Sequence, residues 1–317
     1  MMKTAIAWAG LCAGIACMTT LASAEPFAYV PNEKSGTLSV IDTAMDKVVR
    51  TIPAGQKPRG IAISPDGKRI YVSDQPKNAL LVVDLEQEKI ERTIDLGESP
   101  EGVSISPDGK YVVAAVEVSN SVAFIETSSG ARSFSVKVKG KNPEHAVFSP
   151  DSKWLVASAE EADQVDIVDV EKRAQVGQIQ VGSRPRGMAF TPDGSRLYVA
   201  CELANTTFAI DWQARKVIAK IATGNYSNGV VMHPNGQRVY VSNGKDATVS
   251  VIDTSSNTVV ATIPVGKRPW NMAITPDGKK VYVATGRSNA VSVIDTETNK
   301  KIADVPVGEA PWGVVIH

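Results

Sequence analysis

The sequence predicts an all-β chain: a seven-bladed β-propeller with four antiparallel strands per blade, its last blade closed by a C-terminal strand one laid beside N-terminal strands two to four. Three observations predict it. A single unit recurs from Pro58, Pro100, Pro143, Pro185, Ser227 and Pro269, and its opening returns at Pro311, with spacings of 42, 43, 42, 42, 42 and 42 residues. Each unit carries four short β-type stretches parted by turn chemistry. The two ends of the chain hold complementary pieces of one unit, so six complete copies and one composite make seven. A period near 40 with four strands per repeat belongs to propellers, whose sheets bury their faces by stacking and lose their exposed ends by closing a ring.

The copy from Pro269 to Ala310 shows each element in order. Met272, Ala273 and Ile274 form strand one and lead into Thr275-Pro276-Asp277-Gly278, where Pro presets the first turn corner and Gly accepts φ > 0 at the exit. Lys280 to Ala284 alternates as strand two, and Ala290 to Asp295 reads as strand three. A polar turn at Thr296 to Lys300 then delivers strand four, Ile302 to Val307. Before Pro58 there are only Phe27 to Val30, Thr37 to Asp42 and Lys47 to Ile52, the second, third and fourth strands; after Ala310 there is only strand one, Trp312 to His317.

Internal copies separate framework from function. The Pro-Asp-Gly turn recurs at Pro65, Pro107, Pro192 and Pro276, and an acid ends strand three at Asp42, Asp84, Glu126, Asp169, Asp211, Asp253 and Asp295. Those acids are expected to accept backbone hydrogen bonds in the turns that follow. Strand two carries Tyr29-Val-Pro-Asn32, Tyr71-Val-Ser-Asp74, Tyr240-Val-Ser-Asn243 and their variants. With the Pro-Asp-Gly, Val-Ile-Asp-Thr and Ile-Pro-Val-Gly words, the chain resembles the YVTN family of β-propeller repeat proteins from Phe27 to His317. The Pro-Arg-Gly stretches and the closing Pro-Trp-Gly-Val-Val resemble more narrowly the propellers associated with PQQ-dependent catabolism. That resemblance implies an accessory role beside a periplasmic quinoprotein dehydrogenase.

Lys+Arg and Asp+Glu both number 34 over 317 residues, so no global field favours nucleic acid or an anionic membrane. Residues 1–24 have the parts of a secretory signal: Lys3, an apolar run from Ala5 to Met18, and Ala22-Ser23-Ala24 as an A-x-A cleavage site. Cleavage after Ala24 would leave 25–317 as one propeller domain in the periplasm or outside the cell, without membrane insertion. Of three cysteines only Cys201 would survive, which excludes an intramolecular disulfide. The chain has no GxSxG, HExxH, Walker loop, paired CxxC or CxxCH.

Uniform repeat length excludes a lid or an inserted finger, so function is expected on short loops around the channel. The position after each unit's first residue reads Arg59, Glu101, Glu144, Arg186, Asn228, Trp270 and Trp312; the next reads Gly60, Gly102, His145, Gly187, Gly229, Asn271 and Gly313. A polar ring with two indoles in an otherwise repetitive framework is where a ligand or protein partner is expected. Its bland alternative is a solvated loop ring. The loop after strand two adds Glu33, Gln75, Glu117, Glu160 and Glu202 opposite Lys57, Lys141, Arg184, Lys267 and Arg268, which read as ordinary surface charge. His145 is the one histidine expected at the channel mouth; His233 and His317 fall at the far end of strand one.

The leading expectation is an exported, non-catalytic binding or scaffold propeller with a protein partner. Its alternative is a metal-dependent lactonase or lyase, with Glu101, Glu144, Asn228 and Asn271 as oxygen ligands and His145 as base. A third expectation is that Arg59 and Arg186 hold PQQ or another small anionic ligand with an indole stacked on it. No cofactor is required by the residues themselves.

Overall fold

The computed structural model describes Met1 and residues 26–317; the expected leader and its cleavage point after Ala24 lie outside the described residues. Seven four-stranded antiparallel sheets are arranged as blades 1 to 6 (58–95, 100–137, 143–180, 185–222, 227–264 and 269–306) and a composite blade 7. Blade 7 takes its inner strand from the C-terminus: Val315 and Ile316 pair with Tyr29 and Ala28. Phe27 and His317 exchange backbone hydrogen bonds of 2.9 and 3.1 Å, and the Trp312 amide donates to the Pro31 carbonyl at 3.0 Å. The ring is thus fastened by its own two ends, which leaves no open blade edge at the seam.

Strands two and three are buried on both faces, because each sheet packs against a neighbour on either side. Their near-continuous Val, Ile, Leu and Tyr runs meet that demand. Seven hydrophobic clusters fill the structure. The cluster of Ala28, Val30, Ile41, Tyr282, Val293 and Val314 joins blade 6 to the composite blade, so closure has its own core. Strand four is the rim, with alternating exposure.

The repeated words do the work expected of framework. Gly67 has φ +68° and its amide closes the turn on the Ser64 carbonyl at 2.9 Å; Ser152 adopts φ +60° where the other copies have Gly. The acids that end strand three cap the next turn, as when Asp42 Oδ1 accepts from the Ala44 amide at 2.8 Å. At the end of strand two, Asp74 accepts from the Gln56 and Lys57 amides, and Asn243 accepts from the Gly224 amide, so this position ties down the loop between blades.

Strand one differs from the sequence expectation in a way that shapes the site. It begins at Pro269 rather than Met272, and pairing jumps from Pro269↔Thr285 to Met272↔Val283. Blades 1 to 5 show the same jump between the first and fourth residues of the strand. The two skipped residues form a bulge, which frees them from the ladder and turns them toward the channel. Ser73 repairs part of the loss: its Oγ accepts from the Gly60 amide at 2.9 Å and donates to the Glu101 carbonyl of the next blade at 2.7 Å.

Adjacent first strands approach closely at these bulges. A Cβ on Gly60 would sit 2.1 Å from the Glu101 carbonyl oxygen, and one on Gly187 would sit 2.5 Å from that of Asn228. Gly60→Ala is therefore expected to destabilise the fold by roughly 1–3 kcal/mol through overpacking, measured as a lowered midpoint in urea with an unchanged slope. An unchanged midpoint would show that the first strands are not so tightly apposed.

Candidate functional site

The bulges place one side chain from every blade around the channel mouth. Five of the seven are buried, with exposures of 2% for Glu101, 5% for Glu144, 6% for Arg186, 2% for Asn228 and 4% for Trp312. Arg59 and Trp270 are half-buried. The expectation of a solvated ring is corrected: the converging bulges exclude water from most of these groups. The expectation that the loop acids are ordinary surface charge is corrected with it, since Glu160 and Glu202 are also buried.

Buried charge has to be paired, and here it is. Arg186 faces Glu144 at 2.5 Å, Glu202 at 2.9 Å, and Glu160. Arg268 reaches Glu202 at 3.2 Å, while Arg184 lies 3.2 Å from Glu160 and 3.3 Å from Glu202. On the other side, Arg59 bonds Glu101 and reaches Glu33 at 3.1 Å, and Lys57 reaches the same Glu33 oxygen at 3.1 Å. Gln75 Nε2 donates to Glu101 Oε1 at 2.8 Å. The two arginines expected to hold an anion thus already face carboxylates.

Crowding shifts the titration of these groups. Burial, reinforced by the nearby Glu144 charge, pushes Glu101 up to about 9 against the pull of Arg59. The same two causes push Glu160 up to about 7, opposed by Arg186 and Arg184. Burial works against the Arg186 charge, but Glu144, Glu160 and Glu202 outweigh it and hold the guanidinium above its ordinary range. At neutral pH the carboxylate cluster keeps at least one proton, chiefly at Glu101. Arg59 also faces Glu33.

Three of these carboxylates form a tighter group. Glu101, Glu117 and Glu144 each place an oxygen within 4.8 Å of the others, the arrangement that could hold a cation. The sequence pattern pairs Glu101 and Glu144 with Asn228 and Asn271 and reads Glu117 as surface charge, whereas the structure sets Glu117 beside the two glutamates. A signal was present: the loop between blades and the loop after strand two share a face, and Pro100 pairs with Val116, so Glu101 and Glu117 follow opposed residues of one blade.

Aromatic rings cross the mouth. His145 of blade 3 stacks on Trp312 of blade 7, with centroids 5.6 Å apart and planes 14° apart, and Trp312 lies 6.3 Å from Trp270 at 20°. The Arg268 guanidinium sits 4.6 Å over Trp270. Below them a cavity of about 200 Å³ runs into the channel, lined by Ile61, Gly102, His145, Gly187, Asn271 and Trp312 among others. Burial, with Arg186 nearby, lowers His145 to about 3, so the ring is neutral. Among the described residues neither ring nitrogen has a hydrogen-bond partner, nor do Asn271 Nδ2 and Asn228 Oδ1. The alternative reading gives His145 the part of a base; in the structure its ring is buried and stacked on an indole.

Residues outside the mouth keep structural roles. His317 and His233 lie under the Gly67 and Gly278 turns of the next blade, and His317 Nε2 is 3.0 Å from the Pro65 carbonyl. Burial raises the Cys201 thiol to about 12, which disfavours the thiolate that a nucleophile requires.

Comparison with known proteins places the fold in context. A family model described as "Lactonase, 7-bladed beta-propeller" matches residues 19–143, 98–180 and 127–306. No curated protein matches. Among solved structures, Kuenenia stuttgartiensis hydrazine synthase is similar with a TM-score of 0.79 and 24% identity, covering 89% of this chain and 99% of that one. A functionally unknown protein from Desulfotomaculum acetoxidans aligns with a TM-score of 0.79 and 19% identity over 92% and 98% of the two chains. A "putative 6-phosphogluconolactonase" from Bacteroides uniformis aligns with a TM-score of 0.77 and 19% identity over 92% and 100%. At these identities the structural likeness is one of fold.

Two predictions test the charge network. Arg186→Met would leave its three carboxylates without their shared partner and is expected to cost about 3 kcal/mol or more, with a loss that grows with pH, measured by urea denaturation. A cost within error of zero would contradict the network. For Glu101, the folded state holds its proton up to about 9 against an ordinary 4.5. Its contribution is therefore complete below the ordinary value and is lost as pH rises toward 9. In buffer free of divalent cations, Glu101→Gln should remove part of the wild-type decline in stability between those two values; parallel profiles would show that Glu101 is not shifted.

Proposed function

The chain belongs to the family of lactonase-type seven-bladed β-propellers, and within that family we propose that it acts as an exported binding propeller that engages a protein partner with its channel-mouth face. Support comes from one observation above all: both arginines of the mouth ring are already engaged by carboxylates. Arg186 is enclosed by Glu144, Glu160 and Glu202, and Arg59 is held by Glu33 and Glu101. His145 is neutral and stacked, and the Cys201 thiol is buried. What faces outward is a rim on which half-buried Trp270, with Arg268 over its ring, stands beside the charged loops, a surface whose aromatic and arginine content suits protein contact.

The leader expected at 1–24 supports export. The repeated Tyr-Val words support placement in the YVTN branch of the family, and the closing Pro-Trp-Gly stretch supports an accessory role beside a periplasmic quinoprotein dehydrogenase. The alternative, lactone hydrolysis at the same mouth, draws on the family match and on Glu101 and Glu160, two carboxyls whose raised values are of the kind that serves acid–base chemistry.

One pair of measurements separates the readings. Purified protein is expected to hydrolyse neither phosphogluconolactone nor simple aliphatic lactones above the buffer rate, and to recover a partner from periplasm that a folded Trp270→Ala variant recovers at least tenfold less well. Lactone turnover abolished by Glu144→Gln would overturn the binding reading in favour of the hydrolase, and equal recovery by both proteins would remove the mouth as the contact face.

A further inference from the structure

We propose that Glu101, Glu117 and Glu144 form a divalent-cation site at the channel mouth, suited to calcium and bridging blades 2 and 3. The proposal stands whether the face binds a partner or a lactone. Its first support is geometric: one oxygen from each residue lies within 4.8 Å of the others. Two oxygens on a common ion can be no farther apart than twice the bond length. That limit is about 4.6–5.2 Å for calcium and about 4.0–4.2 Å for magnesium, so three oxygens lying within 4.8 Å of one another make a group of the size that calcium spans.

The second support is an unpartnered atom. Glu101 is only 2% exposed, its Oε1 is taken by Arg59 and Gln75, and its Oε2 has no hydrogen-bond partner among the described residues. A buried carboxylate oxygen left bare is costly and calls for a ligand. The third support is charge. Glu101 is paired with Arg59 and Glu144 with Arg186, each through one oxygen. Glu117 accepts only from Ser99 Oγ, at 2.5 Å, and has no cationic partner among the described residues. Glu117 thus has no guanidinium of its own, and the three residues make an all-oxygen donor set of the kind hard cations prefer.

Binding would tie the first strand of blade 3 to the first strand of blade 2 and to its loop after strand two. Both guanidiniums can stay, because each uses only one carboxylate oxygen. The test takes the full protein, stripped with chelator and dialysed, and titrates it calorimetrically with calcium chloride and separately with magnesium chloride; thermal melts with and without each ion accompany the titrations. One calcium per chain, tighter binding of calcium than of magnesium, and a melting temperature raised by calcium are expected. Glu117→Gln should weaken calcium binding roughly tenfold or more while its metal-free melt stays close to that of the wild type, because Glu117 is half-buried and lightly bonded. Saturable binding that Glu117→Gln leaves unchanged would overturn the assignment, as would the absence of saturable heat at millimolar calcium. Should Glu117→Gln fail to fold, Glu144→Asp serves in its place: a carboxylate one methylene shorter should weaken binding in the same sense, and unchanged affinity would again overturn the site.

Discussion

Closure of the ring is the constraint on which the rest depends. Seven sheets of one pattern can bury their faces only by stacking, and the seam holds because Val315 and Ile316 pair with Tyr29 and Ala28 over a core of their own. Closure also drives seven first strands toward one axis. There the backbones come so close that Gly60, Gly102, Gly187 and Gly229 would each drive a Cβ into the next blade. The bulge in strand one follows from the same crowding: it releases two residues per blade from the ladder and aims them at the mouth.

That geometry explains why the charges pair among themselves. Side chains that would lie in solvent on an open sheet are gathered here into a space with little water, and the arginines among them find carboxylates on their own and on neighbouring blades. Arg186 draws on Glu144 from blade 3 and on Glu202 from its own blade, while Arg59 draws on Glu33 from blade 7 and Glu101 from blade 2. Electrostatics therefore works across blade boundaries and supplements the apolar clusters between sheets. At Glu101, Glu117 and Glu144 this pairing is incomplete, since Glu117 has no cationic partner among the described residues.

Much of the fold was legible because the chain repeats itself: seven copies compared with one another separate Pro-Asp-Gly turns and strand-ending acids from positions that vary. The location of Arg59, Glu101, Glu144 and the residues equivalent to them followed from strand direction. Their burial did not, because it depends on the radius at which the ring closes and on a bulge that no local pattern announces. Glu160 and Glu202 looked like surface charge for the same reason: their partner Arg186 lies 26 residues from one and 16 from the other, and only the closed ring brings all three together. The stacking of His145 on Trp312 joins blades 3 and 7 across the channel, a contact beyond the reach of neighbour-by-neighbour comparison.

The central claim is that closure buries a ring of charge over the channel, its arginines paired with carboxylates from their own and other blades. A crystal structure of the protein at neutral pH tests it most directly. The account predicts the Arg186 guanidinium enclosed by Glu144, Glu160 and Glu202, with His145 flat against Trp312 beneath the rim. Arginine and glutamate side chains splayed into solvent around an open, water-filled channel would contradict it.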